Sequence, residues 1–566
     1  MKRIMNFYKE DPNLQEIVKK YLPTDLLDWA NKELEEFGAM CATDIDERAV
    51  HTDREGQPRL IKYNRFGEDI SEIWVNEGYK QTVKETYNKG IVGYIFKDIP
   101  ALGRTGDYHY SFAQGYLLSQ TEPGFYCPVT LTMATAYLLE HYASEEVKER
   151  FLPHVLSTGE VELYEGATFL SERQGGSDVG ANVVKAIKVG EHYQLFGEKY
   201  FASNSGMCGV AMVLARIDDQ RKGTKGLSLF AVPWRKEDGK LNGIQVRRLK
   251  DKLGVRAVPS AEIEFDGAEA YLVGDASKGF YYMMEGLNLS RVCNAIASIG
   301  IMRRAYLEAR NYAFYREAFG QSLTAYPMVQ TTLTKLAAKQ EVETSATFYL
   351  VNLFNKVMSK ENVVTEQEEA LNRLLIALLK KETAEQAIHF VHEAIEMHGG
   401  NGYMEDFVLA RLLRDAQVLT VWEGTANILG LEVLRLMRKY NAHQLFIEEM
   451  HQELHQLSPQ LNDLKTPVVE GINKLKELTS YVATASEDVQ TYHSKKIAAL
   501  MVNIFESVIA LKQAESGASR SVAIAEVFIE QTWRLNEWTD KEMKSVVHFD
   551  LIVASQLEAI EVQPVQ

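Results

Sequence analysis

HYQLFGEKYFAS (192–203), GVAMVLARI (209–217), GLSLFAVPW (226–234) and SAEIEFDGAEAYLVG (260–274) decide the fold of this chain. Each is short, rich in β-branched and aromatic residues, and punctuated by glycine. Several such segments without helices between them predict a compact antiparallel barrel or sandwich over residues 162–279. Outward from them the period changes. DLLDWANKELEEF, TLTMATAYLLEHY and SEEVKERFLPHVL, within residues 1–161, carry apolar residues at helical spacing; Thr24 or Asp25 is a plausible cap, and the third segment opens on Ser144 and acids. After Gly279 the helical period returns, and the apolar faces of GFYYMMEGLNLSRVCNAIASIG and LLIALLKKETAEQAIHFVHEAIEMH predict a four-helix bundle over 280–440. KKIAALMVNIFESVIALKQA and LIVASQLEAI mark residues 441–566 as a helical extension. The expected class is multidomain and mainly α, with a central β-domain and a C-terminal helical extension.

Composition bounds the function. At 566 residues the chain exceeds the roughly 250–300 at which single cores divide. Its net charge of -16 opposes attraction to nucleic acid or anionic membranes, and the extension alone holds 18 acids against 10 bases. Cys41, Cys127, Cys208 and Cys293 form no CxxC pair, which suits free thiols in a reducing cytoplasm. MKRIMNFYKEDPNLQ lacks the apolar run of a signal peptide, and no stretch approaches the roughly 18 apolar residues of a membrane span. The 13 histidines include no HExxH or other ligand spacing, so no metal site is expected; neither a GxSxG elbow nor a P-loop is present.

Four stretches carry candidate chemistry. ATFLSERQGGSDVGAN (167–182) exposes backbone N–H groups around adjacent glycines, a nest for phosphate or a carbonyl-rich ring, or a tight surface turn. In EMHGGNGYMED (396–406), Gly399 and Gly400 cap a helix or admit a cofactor to the backbone. FYREAFGQSL places Arg316, a guanidinium suited to pyrophosphate or a solvated helix arginine, beside Phe319-Gly320. In VWEGTANILGLEVLR (421–435), Glu423 stands between Trp422 and Gly424 before a nearly uncharged run. Desolvation there raises a carboxyl pKa and suits a general base; pairing with Arg435 or Arg414 is the structural alternative.

Taken together and in this order, these segments resemble the acyl-CoA dehydrogenase family. SERQGGSD resembles its T-E-x-x-x-G-S-D loop, EKYFASN its K-x-W-I-T-N strand, and LKDKLGVRAVPS its K-x-G-x-R-x-S segment. YREAFGQSL resembles R-x-x-F-G, MHGGNGY resembles GGxGY, and VWEGTANI resembles Y-E-G-T-x-x-I. Glu396 of EMHGG, the W-E-G-T-x-N-I segment and the extension place the likeness in the AidB-like branch.

The resemblance implies FAD, with Thr168, Leu170, Ser171, Gly176 and Ser177 lining the flavin, and Phe201 (in place of tryptophan) and Ser203 against its ring. It implies Arg316 on the pyrophosphate of a neighbouring subunit's FAD, Glu396, Gly399 and Gly400 near the adenosine, and Trp422, Thr425 and Asn427 flanking the base. Glu423 takes the role of the base that removes the α-proton of an acyl thioester while the β-hydrogen leaves as hydride; Ser290 stands where some members carry the base instead. Gly424 admits the substrate, with Ser177, Arg291 and Arg435 as contacts for the acyl-CoA. Further expectations are a role in fatty acid metabolism, an electron-transfer flavoprotein as acceptor, and a homotetramer or dimer of dimers. Two alternatives remain at this stage: an AidB-like protective flavoprotein associated with DNA, and an acyl-CoA oxidase using oxygen.

Overall fold

A computed structural model describes residues 4–217, 221–359, 363–534 and 542–558; the end of the predicted extension, 559–566, lies outside the described residues. By compactness the chain forms two units, Asp28–Cys293 and Met1–Leu27 with Asn294–Gln566. The cuts fall inside helices Thr24–Ala42 and Gly279–Tyr315.

In the Asp28–Cys293 unit, helix Tyr108–Ser119 is buried at every position, polar residues included, and so shows no amphipathic period. Gly115 makes room there for the next helix, Pro123–Tyr142: a Cβ on Gly115 would stand 2.2 Å from the Tyr126 hydroxyl. Ser144 caps helix Glu145–Val155 by accepting from the Val147 amide, as its position predicts. A hairpin, Arg59–Tyr63 with Asp69–Trp74, interrupts what the sequence reads as wholly helical. Its strands are short and turn on a single Gly67 at positive φ.

The β-domain is one seven-stranded sheet, ordered Ile244–Leu249, Ser260–Leu272, His192–Ser203, Lys185–Val189, Cys208–Arg216, Glu165–Phe169. Leu227–Pro233 pairs with both Ser260–Leu272 and Cys208–Arg216 and closes five strands into a ring. All its residues are buried, so it runs apolar without alternation, as a strand covered on both faces does. One expectation needs correction. The sheet is mixed, because Glu165–Phe169 runs parallel to Cys208–Arg216, and Lys185 makes a parallel bridge to Arg216. Residues 170–207 separate these two parallel strands, the long connection that parallel pairing needs. Glu165–Phe169 lies so close to helix Pro123–Tyr142 that a Cβ on Gly166 would come 2.4 Å from Thr135 Oγ1.

In the other unit, Glu366–His398 packs with Pro327–Met358, Val408–Leu419 and Ala426–Tyr440, and the second part of Gly279–Tyr315 reaches Pro327–Met358 through Arg303 to Gln340 and the end of Val408–Leu419 through Asn294. The extension is built into this bundle. Helix Glu487–Ala514 lies against Pro327–Met358, Glu366–His398 and Ala426–Tyr440. There the Lys339 ammonium sits 2.7–3.3 Å from carboxylate oxygens of Glu343, Glu382 and Glu506. Burial pushes the pKa of Glu343 well up and raises that of Glu506, as expected where several carboxyls share one cation. Helix Glu487–Ala514 is also long and apolar enough to cross a membrane, which corrects the expectation that no stretch is. Its most apolar window is 72% buried in the bundle, where a core helix earns the same composition.

Candidate functional site

Within the Asp28–Cys293 unit, the SERQGGSD loop follows strand Glu165–Phe169 and is fixed from below. Glu172, 3% exposed, pairs at 2.9 Å with Lys199, 1% exposed, on strand His192–Ser203. Glu172 also accepts from the Val183 and Val184 amides, while Lys199 and Asn182 donate to the Leu170 carbonyl. Burial lowers the Lys199 pKa, opposed by the Glu172 carboxylate. The Tyr200 amide bonds the Ser171 carbonyl at 3.0 Å, and Asn204 reaches the Gly166 carbonyl at 3.1 Å. The sequence reading passed over Glu172, Lys199 and Asn204; their positions as the E of T-E-x-x-x-G-S-D and the K and N of K-x-W-I-T-N were the available signal.

This bracing leaves the predicted residues at the surface. Gly176, Ser177 and Phe201 are exposed, and Thr168, Leu170, Ser171 and Ser203 half-buried. Phe201 presents 58% of its surface although its neighbour Ala202 is buried. Ser203 Oγ meets Ser260 Oγ at 3.2 Å. A Cβ on Gly176 would stand 2.4 Å from Ser171 Oγ, so a larger residue there would make the Ser171 hydroxyl turn away.

Within the other unit, Glu423 stands on the turn between Val408–Leu419 and Ala426–Tyr440, at φ 53°. A non-glycine residue in the left-handed region costs about 1 kcal/mol, so the surroundings must hold it. They do so from two sides. Lys380, buried on Glu366–His398, donates to the Gly424 carbonyl at 2.8 Å. Asn294, buried on Gly279–Tyr315, donates through Nδ2 to Glu423 Oε2 at 2.8 Å and to the Leu419 carbonyl at 3.2 Å. Glu423 is half-buried, less dry than the sequence implies. Its compensation includes the Asn294 amide. Of the two arginines left open as partners, Arg414 reaches Glu405 at 3.2 Å and Arg435 pairs with Glu432.

Trp422 and Gly424 are half-buried beside Glu423, and Thr425 and Asn427 are exposed at the start of the next helix. Arg435 lies roughly 14 Å further along that helix, by 1.5 Å per residue, on a cavity of about 380 Å³ with Arg438, Lys439 and Thr491. It is not gathered with Glu423. Ser290 and Arg291 are buried on their helix; Arg291 donates to Asn288 Oδ1 at 3.0 Å, and Ser290 to the Gly286 carbonyl.

The remaining predicted residues cluster on the same unit. Arg316 opens the hairpin Glu317–Ala318/Gln321–Ser322, whose turn residues Phe319 and Gly320 both have positive φ. Phe319 is 99% exposed. Glu396, Gly399 and Gly400 are exposed where helix Glu366–His398 ends, with open space around both glycines. His398 anchors that end: its Nδ1 lies 2.8 Å from the Ala394 carbonyl, its ring packs on Tyr312 at 4.1 Å, and burial lowers its pKa. His392, Glu393 and Glu396 come within metal-binding reach of one another on this exposed helix face, as do Glu343, Glu382 and Glu506, where the Lys339 ammonium stands in the cation position. In the Asp28–Cys293 unit the glycine cradle and the exposed Phe201 face suit a flavin ring; in the other unit, by itself, the bare 399–400 turn leaves its backbone open to a ligand.

Comparison with known proteins identifies the family. The acyl-CoA dehydrogenase middle domain matches residues 167–268, the acyl-CoA dehydrogenase C-terminal domain 277–437, and the adaptive response protein AidB N-terminal domain 2–159. Acyl-CoA dehydrogenase family member 11 of Caenorhabditis elegans is 32% identical over 85% of this chain and 79% of its own. The putative acyl-CoA dehydrogenase AidB of Escherichia coli is 30% identical over 68% and 69%. Among solved structures, Caenorhabditis elegans ACDH-11 in complex with C11-CoA superposes with a TM-score of 0.86 at 28% identity, covering 99% of this chain and 95% of that one. The chain therefore belongs to the acyl-CoA dehydrogenase family, FAD-binding oxidoreductases that act on CH–CH donors, with an N-terminal domain of the AidB type.

Proposed function

We propose that this protein desaturates an acyl-CoA thioester between Cα and Cβ, with Glu423 as the base. The observation that carries the reading is the Glu423 carboxylate on a left-handed turn, half-buried and oriented by a buried amide. Glu423 takes the Cα proton. Gly424, without a side chain, lets the thioester approach the backbone, and the Glu423 N–H assists by polarising the carbonyl. Desolvation around the closed substrate keeps the carboxylate basic enough to act near neutral pH. The flavin, when bound, supplies the acceptor for the hydride leaving Cβ. Leu170, Ser171, Gly176, Ser177, Phe201 and Ser203 hold its ring, and Arg316, Glu396, Gly399 and Gly400 the remainder, Arg316 from a neighbouring subunit.

The exposed Phe319, held at positive φ beside Arg316, supports assembly into a homo-oligomer in which that hairpin is covered. An electron-transfer flavoprotein is the proposed acceptor. Four free cysteines, three of them buried, suit a reducing compartment, so the proposed location is the cytoplasm and the proposed context fatty acid metabolism. The acidic extension weighs against a nucleic-acid partner.

The test is spectroscopic. The purified protein is expected to be yellow and to lose its flavin absorbance anaerobically when mixed with at least one member of a straight and branched acyl-CoA series. A flavin left oxidised by every member overturns the reading.

A further inference from the structure

Resting on that reading, a second side chain belongs to the proton-transfer step. Asn294 is buried, yet its amide is spent on one place: Nδ2 bridges the Leu419 carbonyl, where helix Val408–Leu419 ends, and Glu423 Oε2, where the turn carries the base. Its Oδ1 has no partner among the described residues, an orientation that costs free energy and persists because the donor is used. The turn it reaches holds Glu423 at φ 53° and Gly424 at φ 110°, and Lys380 donates to its backbone at the Gly424 carbonyl.

We propose that Asn294 is the positioning residue of the base: it fixes the Glu423 carboxylate on the turn and favours its ionised form before each proton abstraction. An amide N–H cannot be donated to both a carboxylate and a carboxylic acid with equal profit. Charge-assisted bonds are roughly twice as strong as neutral ones. The bond therefore acts on both the direction and the proton affinity of Glu423. The charged side chains on the elements that meet its turn are Lys380 on helix Glu366–His398 and Arg411, Arg414 and Asp415 on Val408–Leu419. Asn294 donates to the Glu423 carboxylate at 2.8 Å and is a donor that does not titrate.

The experiment compares holoenzyme carrying Asn294, Asn294→Ala or Asn294→Asp, using phenylacetyl-CoA in D₂O. That probe has α-hydrogens and no β-hydrogen, so NMR reads α-proton exchange apart from hydride loss. Asn294→Ala is expected to lower the exchange kcat about tenfold to a hundredfold with KM nearly unchanged. It is also expected to move the rising limb of the pH profile up by about 1 unit. Asn294→Asp, nearly isosteric, is expected to move that limb further, since two carboxylates in contact resist joint ionisation. Variants that keep the native limb, whether or not they lose thermal stability, overturn the proposal. Wild-type protein inert both here and in flavin bleaching, or Glu423→Gln exchanging at the native rate, overturns the base assignment itself.

Discussion

Glu165 shows how much one buried group can report. It enters the sheet 3% exposed, and its Oε1 accepts from the Tyr87 hydroxyl at 3.2 Å. Burial raises its pKa to about 8, against a smaller lowering by Tyr87. A carboxyl raised in the folded state stabilises the fold fully below its unfolded value near 4.5, and that contribution is lost as pH rises through about 8. Between pH 5 and 9 the loss is on the order of 4 kcal/mol. Glu165→Gln keeps the shape without the titration, so its urea midpoint is expected to change far less over that range; parallel curves for the two proteins would contradict the assignment. At this scale the sequence names candidates wherever a motif is contiguous, as at Gly176, Phe201 and Glu423. It was silent on Asn294 and Lys380, because each meets the base turn across 129 and 44 residues, and neither separation leaves a local pattern.

Strands and helices were legible by period, and their junctions were not. The four quoted β-segments appear as strands Cys208–Arg216, Leu227–Pro233, His192–Ser203 and Ser260–Leu272, yet nothing in Glu165–Phe169 announces a parallel partner. The SERQGGSD loop is likewise an affair of two elements: the Glu172–Lys199 pair ties it to strand His192–Ser203. Lys199→Met would leave Glu172 buried without its cation. Breaking a buried pair from one side costs about 3–5 kcal/mol. The expected result is a lower urea midpoint and loss of flavin on gel filtration, while Arg173→Met, which disturbs the exposed Arg173–Glu198 pair on the same loop, changes little. A Lys199→Met protein with native flavin content would show that the loop is held by other means.

For the whole molecule, the order of segments was readable from the alternation of periods, and the integration of the extension was not. Residues 441–566 read as an appendix because amphipathic helices conceal what they face. The structure instead seats Glu506, fully buried, against Lys339 of the bundle at 2.7 Å. Assembly belongs to this scale as well. Phe319→Asp places a charge on the most exposed apolar residue of the Arg316 hairpin. It is expected to reduce the mass seen by light scattering to that of a smaller species and to lower flavin content with it. An unchanged mass would remove that hairpin from any interface.

The account stands on a carboxylate that takes a proton from carbon, and stopped-flow mixing of Glu423→Gln holoenzyme with an acyl-CoA that bleaches the wild type tests it most directly. The amide preserves size and leaves FAD bound, so the account predicts a yellow protein that binds the thioester and bleaches at least about a hundredfold more slowly. Bleaching of Glu423→Gln at the wild-type rate would contradict it.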